Sequence, residues 1–151
     1  MTMAGISWFK YSAPAAFYPL AGRLVPWFAA AAAICAIVGL YIGFFVAPTD
    51  FQQGESYRII FIHVPAAWMS MLLYLAIAFW SALGWGLNAR MASTLARAIA
   101  PTGAVFTAAA LVTGALWGQP TWGTWWVWDA RLTSELVLLF LYIGFMSLHA
   151  A

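Results

Sequence analysis

Charge is what this sequence has least of. Only 7% of its 151 residues are Asp, Glu, Lys or Arg, against about 25% in an ordinary soluble domain, so the chain has too little polar surface to fold alone in water. Cysteine is nearly as scarce. The single Cys35 excludes a disulfide framework, a thiolate metal cluster and the Cys-x-x-Cys-His pattern of covalent haem attachment; inside an apolar run it reads as a small packing residue. Six basic residues scattered over the chain give a net charge of +2 and no basic patch, which argues against a nucleic-acid partner. No Ser/His/Asp arrangement, phosphate-binding glycine loop or pair of carboxylates on one helix face is present, so the residues point away from an enzyme.

Apolar residues fill the space. They make up 66% of the chain, with mean hydropathy +0.90, and they predict an all-α, polytopic membrane helix bundle in contact with lipid. Leu24 to Val46 carries no charge for 23 residues, enough to span a hydrocarbon core that needs about 20, and longer than the ~7 to 15 apolar residues of a signal peptide. Ile59 to Leu87 is a second span. Its 29 residues exceed an upright helix, and Pro65 favours a spanning part that starts near itself, with 59–64 at headgroup depth. Ile99 to Trp117 and Leu132 to Ala150 complete four transmembrane helices in one integral membrane domain, 1–151. Ala47 to Tyr57, Asn88 to Arg97 and 118–131 connect them. Helix 4 is followed by no basic flank or polar tail, which gives the end of the chain the look of a truncation.

Lys10, Arg23, Arg90 and Arg97 fall on one side of this arrangement, and Asp50, Glu55, Asp129 and Glu135 fall on or next to the other. The positive-inside rule then makes the N-terminus cytoplasmic and turns the 47–57 and 118–131 connections outward together.

Five of the ten tryptophans lie between Trp117 and Trp128. Read as a helix from about Thr121, the spacing Trp122, Trp125, Trp126, Asp129 forms one indole face ending in a carboxylate. Such a face suits a large flat apolar ligand; an interfacial aromatic belt is the plainer alternative. His63 falls at about the same depth. Imidazole is a natural axial ligand of haem iron, and its bland alternative is a neutral interfacial histidine bonded to a carbonyl. Arg58 and Arg131 are the two outward cations, suited to an anionic ligand group, or to local pairs with Glu55 and with Asp129 or Glu135. Asp129 is favoured as N-cap of helix 4 and organiser of the loop. Glu135, one turn inside helix 4, is expected to face protein or a water-filled site. His149 lies at the opposite, cytoplasmic end.

These residues carry a resemblance. Trp122-Gly-Thr-Trp125-Trp126-Val-Trp128-Asp129-Ala-Arg131-Leu-Thr-Ser-Glu135 resembles the tryptophan-rich "WWD" signature of haem-handling proteins of cytochrome c biogenesis. Arg58-Ile-Ile-Phe-Ile-His63-Val-Pro65-Ala-Ala-Trp68, Ala47-Pro-Thr-Asp50-Phe-Gln-Gln-Gly54 and Pro101-Thr-Gly-Ala-Val-Phe106 are similar to the haem exporter protein C (CcmC) family in particular.

The resemblance implies a multi-pass protein of the bacterial inner membrane that binds haem b transiently and without a covalent bond at the periplasmic face. It implies presentation of that haem to a haem chaperone, alongside a small single-span membrane subunit and ABC transporter subunits. It makes His63 an axial ligand of the haem iron and the tryptophan segment, with Trp122, Trp125, Trp126 and Trp128, the haem platform; with haem as the ligand, Arg58 or Arg131 is expected to neutralise its propionates, and Asp129 is counted among the haem-site residues. The family has six spanning helices, with a second axial histidine in a later external loop that has no counterpart in this chain. Two rival readings are a haem lyase subunit with the same signature and a generic transporter or scaffold subunit with an aromatic belt.

Overall fold

The computed structural model describes residues 8–150; Met1 to Ser7, at the N-terminus that the charge pattern assigns to the cytoplasm, lie outside the described residues, as does Ala151. Four helices are long and apolar enough to cross a membrane among the described residues: α1, Pro14–Tyr41; α2, Ile60–Gly86; α3, Arg90–Trp122; and α4, Ala130–Ala150. The expected all-α membrane architecture is what the structure has.

The boundaries differ from expectation where proline and arginine were taken as breakers. α1 begins at Pro14, whose missing N–H is no loss in a first turn, and runs through Pro19, Arg23 and Pro26 before a wider turn at Ile42–Val46. α2 covers almost the whole of the expected 59–87 span. It follows directly on a short 3-10 turn, Glu55–Ile59, and carries Pro65 inside it; one lost backbone bond is outweighed by the apolar run that continues on both sides. The second connection shrinks to 87–89. Asn88 makes the reversal with φ +49°, a left-handed conformation that asparagine tolerates better than most residues, and Arg90 and Arg97 lie within α3.

α3 also outlasts its expected end. Gly118 and Pro120 stay helical, and the helix stops at Trp122, where Gly123 takes φ +77° and returns its N–H to the Gln119 carbonyl at 3.0 Å, a left-handed C-cap. Residues 123–129 are not helical. The helical stripe expected from Thr121 onward is therefore absent, and Trp125, Trp126 and Asp129 are displayed by an extended loop instead.

α3 is the centre of the bundle, packed against α2 on one side and α4 on the other, while α1 contributes no buried residue. The seam on α3 runs Ala96, Ala100, Gly103, Thr107 and Ala110, all buried, at alternating spacings of four and three that keep one face toward its neighbours. Small residues let the backbones approach closely. A Cβ at Gly103 would collide with the ring of Tyr142 of α4, and that fully buried tyrosine donates its hydroxyl to the Ser70 carbonyl of α2 at 2.7 Å, joining three helices at one point.

A candidate ligand cavity at His63 and the tryptophan loop

The same seam continues to Gly114 and Trp117, where it shapes a site. His63 of α2 lies against Gly114, whose missing side chain leaves room for the ring: a Cβ there would stand 3.0 Å from His63 Cε1. Its Nδ1 lies 3.0 Å from the Ala110 carbonyl oxygen. A carbonyl can only accept, so Nδ1 carries the hydrogen and donates it. The Thr113 hydroxyl, 3.2 Å away, has its own hydrogen turned to the Ala109 carbonyl at 2.6 Å and offers Nδ1 a second acceptor. In the neutral imidazole this fixes the tautomer with the lone pair on Nε2, the arrangement usual for histidines that bind metal through Nε2.

His63 borders a cavity of about 590 Å³, within the roughly 300–1,000 Å³ range of small-molecule sites. Trp117, Trp122, Trp125 and Trp126 form much of its apolar wall. Trp117 sits 5.7 Å from the His63 ring and 5.6 Å from Trp122, both tilted. The loop reaches the cavity because it folds back over α3 at buried Gly118, where a Cβ would meet the Thr124 carbonyl at 3.1 Å.

Polar groups enter at the cavity's edge. The Asp129 carboxylate accepts the Leu132 amide at 2.8 Å, capping α4, and the Arg131 guanidinium at 2.8 Å. The amide first, and then the guanidinium, hold its pKa below the ordinary carboxylate value. Asp129, Arg131 and Glu135 all border the cavity, so Glu135 faces an internal space as expected of an acid one turn inside a spanning helix. Two of the lining groups, Trp126 Nε1 and Glu135 Oε1, are buried with no hydrogen-bond partner. Buried polar atoms are nearly always satisfied, and these two are open to a ligand.

Two expected residues stand elsewhere. Trp128 is 77% exposed and rests edge-on against Trp126, outside the cavity. Arg58 is turned away from it: Nη1 donates to the carbonyls of Gly43 at 2.8 Å and Ala47 at 3.0 Å, and Nε to the Glu55 carboxylate. Its donors close the wider turn that follows α1, so the local alternative describes it better than an anion contact does. His149, at the far end of α4, bonds the Phe145 carbonyl through Nδ1.

One imidazole nitrogen set among indoles is a poor cage for a bare ion, which takes several protein ligands; no group of three or more His, Cys, Asp or Glu suited to one occurs among the described residues. The donor set fits a metal that brings its own equatorial ligands in a flat apolar frame. The sequence model of the CcmC family, heme exporter protein C, matches residues 7–151. The chain belongs to this family. It is 54% identical over 138 residues to the heme exporter protein C of Escherichia coli strain K12, covering 91% of this chain and 56% of that protein. The Paracoccus denitrificans heme exporter protein C is 46% identical over 147 residues, or 97% of this chain and 60% of its own length. A ccmC-like mitochondrial protein of Marchantia polymorpha, named for cytochrome c biosynthesis, is 52% identical over 118 residues, 78% of this chain and 49% of that protein. The chain thus spans little more than half the length of the curated relatives it matches.

Proposed function

We propose that this chain forms the haem-holding part of a membrane subunit of cytochrome c maturation, a handling protein rather than a catalyst. The observation that carries the reading is the His63 imidazole, with Nδ1 tied to Ala110 and its second nitrogen left for a cavity walled by indoles. His63 Nε2 coordinates the iron of haem b. Trp122, Trp125 and Trp126 cover the macrocycle, and Arg131 faces the propionates, for which a guanidinium is a matched partner. Trp126 Nε1 and Glu135 Oε1 complete their hydrogen bonding to the ligand or to water held with it. Each contact is modest, and no covalent bond is made, which suits a cargo that must be released.

The charge asymmetry supports a cytoplasmic N-terminus and a cavity that opens on the periplasmic side of the bacterial inner membrane. From there haem is presented to a haem chaperone, in a complex with a small single-span subunit and ABC transporter subunits. The test is the visible spectrum of the full-length protein carrying His63→Ala: haem content and Soret band should both fall, and an unchanged spectrum removes His63 from the ligand set. Trp125→Leu with Trp126→Leu should lower haem retention while insertion into the membrane persists. Loss of insertion instead would favour the belt reading.

A further inference from the structure

The indole N–H of Trp117 donates to the side-chain oxygen of Gln53 at 2.7 Å, a contact that joins the connection between α1 and α2 to the cavity wall. Gln53 is itself held firmly. Asp50 Oδ1 accepts the amides of Gln52 and Gln53 at 2.9 and 2.7 Å, the Gly54 amide returns to the Asp50 carbonyl at 3.1 Å, and the Ser56 hydroxyl bonds the Gln53 carbonyl at 2.6 Å. The Gln53 side chain therefore leaves a turn whose backbone is already ordered by its own hydrogen bonds, and gripping the indole costs only the rotamer freedom of the side chain itself.

His63 is bounded on three sides: by the Ala110 carbonyl, by Gly114, and by Trp117. Ala110 and Gly114 are backbone features of α3 and cannot move without the helix. Trp117 can rotate, and its Gln53 contact is a hydrogen bond to a residue outside α2, α3 and α4.

We propose that Gln53 is a positioning residue for His63, acting through Trp117, so that the loop carrying it sets the angle at which the imidazole meets its ligand. The inference rests on the haem reading above for its ligand and on geometry alone for the coupling. The loop also carries Phe51, fully exposed, so a displacement of the turn from outside would be felt at the imidazole.

The test compares Gln53→Leu, which removes the acceptor at similar size, with Gln53→Glu, which keeps one, in the full-length protein in lipid nanodiscs. In ligand-free protein, Gln53→Leu should move the Trp117 indole N–H resonance, assigned by its loss in Trp117→Phe, together with the His63 ring resonances. In haem-loaded protein it should shift the electron paramagnetic resonance signature and the midpoint potential, and speed haem loss about fivefold, the worth of one neutral hydrogen bond. Gln53→Glu should stay near the wild type in all of these. Unmoved His63 resonances in Gln53→Leu, or equal disturbance by both variants, would overturn the proposal. Shifts in ligand-free Gln53→Leu alongside a wild type that binds no haem would uphold the positioning and overturn the haem reading alone.

Discussion

Gly114 of α3 and His63 of α2 are in direct register, with the imidazole occupying the space that a side chain on Gly114 would need. An alanine there would bring its Cβ to 3.0 Å from Cε1, closer than a relaxed carbon–carbon contact of about 3.5–4.0 Å. Gly114→Ala should tilt the ring by a few tenths of an ångström and weaken haem retention by about tenfold, in line with overpacking costs of roughly 1–3 kcal/mol. Gly114→Val should abolish retention. Haem-to-protein ratio after purification measures both, with circular dichroism showing the helices retained.

Gly103 and Tyr142 make the corresponding contact midway along the seam, outside the cavity lining. Gly103→Leu has no room beside the buried tyrosine and should lower stability by about 3 kcal/mol or more. Tyr142→Phe loses only the hydrogen bond to the Ser70 carbonyl, worth about 1 kcal/mol. Unfolding in mixed micelles should rank the two in that order, and a reversal would mean that the seam is not the centre of the bundle.

Arg131 and Arg58 should separate cleanly. Arg131→Gln should loosen a porphyrin with free propionates by up to about fivefold, the ceiling for an exposed ion pair, and should have no effect on the dimethyl ester of the same porphyrin. Arg58→Gln should lower thermal stability by opening the Gly43 and Ala47 carbonyls at the wider turn that follows α1, with porphyrin affinity unchanged. Titration of both ligands into both variants checks this.

Asp129 gives a pH dependence of known sign. The Leu132 amide and Arg131 guanidinium favour the charged carboxylate and depress its pKa in the fold. Its contribution is therefore complete above the ordinary carboxylate value of about 3.9 and disappears as pH falls through the lower, folded value. Asp129→Asn should melt below the wild type at neutral pH, and the gap in melting temperature should narrow in acid. A gap independent of pH would remove the charge from the capping role.

The spans were legible because a hydrocarbon environment demands long uncharged runs, and no tertiary detail is needed to see them. Their ends were legible for α2 and α4 and not for α1 and α3. Pro65, Gly118 and Pro120 are breakers by local rule, yet each sits within a helix whose neighbours hold it in place. The tryptophan loop illustrates the limit more sharply: Trp122, Trp125, Trp126 and Asp129 do meet at one cavity, but by folding back at Gly118 rather than by sharing a helical face.

His63 stood out by residue type, whereas Gln53, Ala110 and Gly114 did not, since one acts through its side-chain oxygen, one through its carbonyl and one through an absent side chain. A signal for Ala110 and Gly114 existed in the alternating spacing Ala96, Ala100, Gly103, Thr107, Ala110, Gly114, Trp117. Arg58 looked like an anion site because it is one of two outward cations; the carbonyls it satisfies belong to the wider turn after α1 and the residue that follows it, fifteen and eleven positions earlier.

The proposal at the centre of the site is that His63 Nε2 takes the haem iron at the indole-walled cavity. Replacing His63 with glycine in the full-length protein and adding imidazole tests it most directly. His63→Gly should lose the axial-histidine spectrum, and millimolar imidazole, entering the vacated space, should restore it. A haem spectrum indifferent to both the substitution and the added imidazole would contradict it.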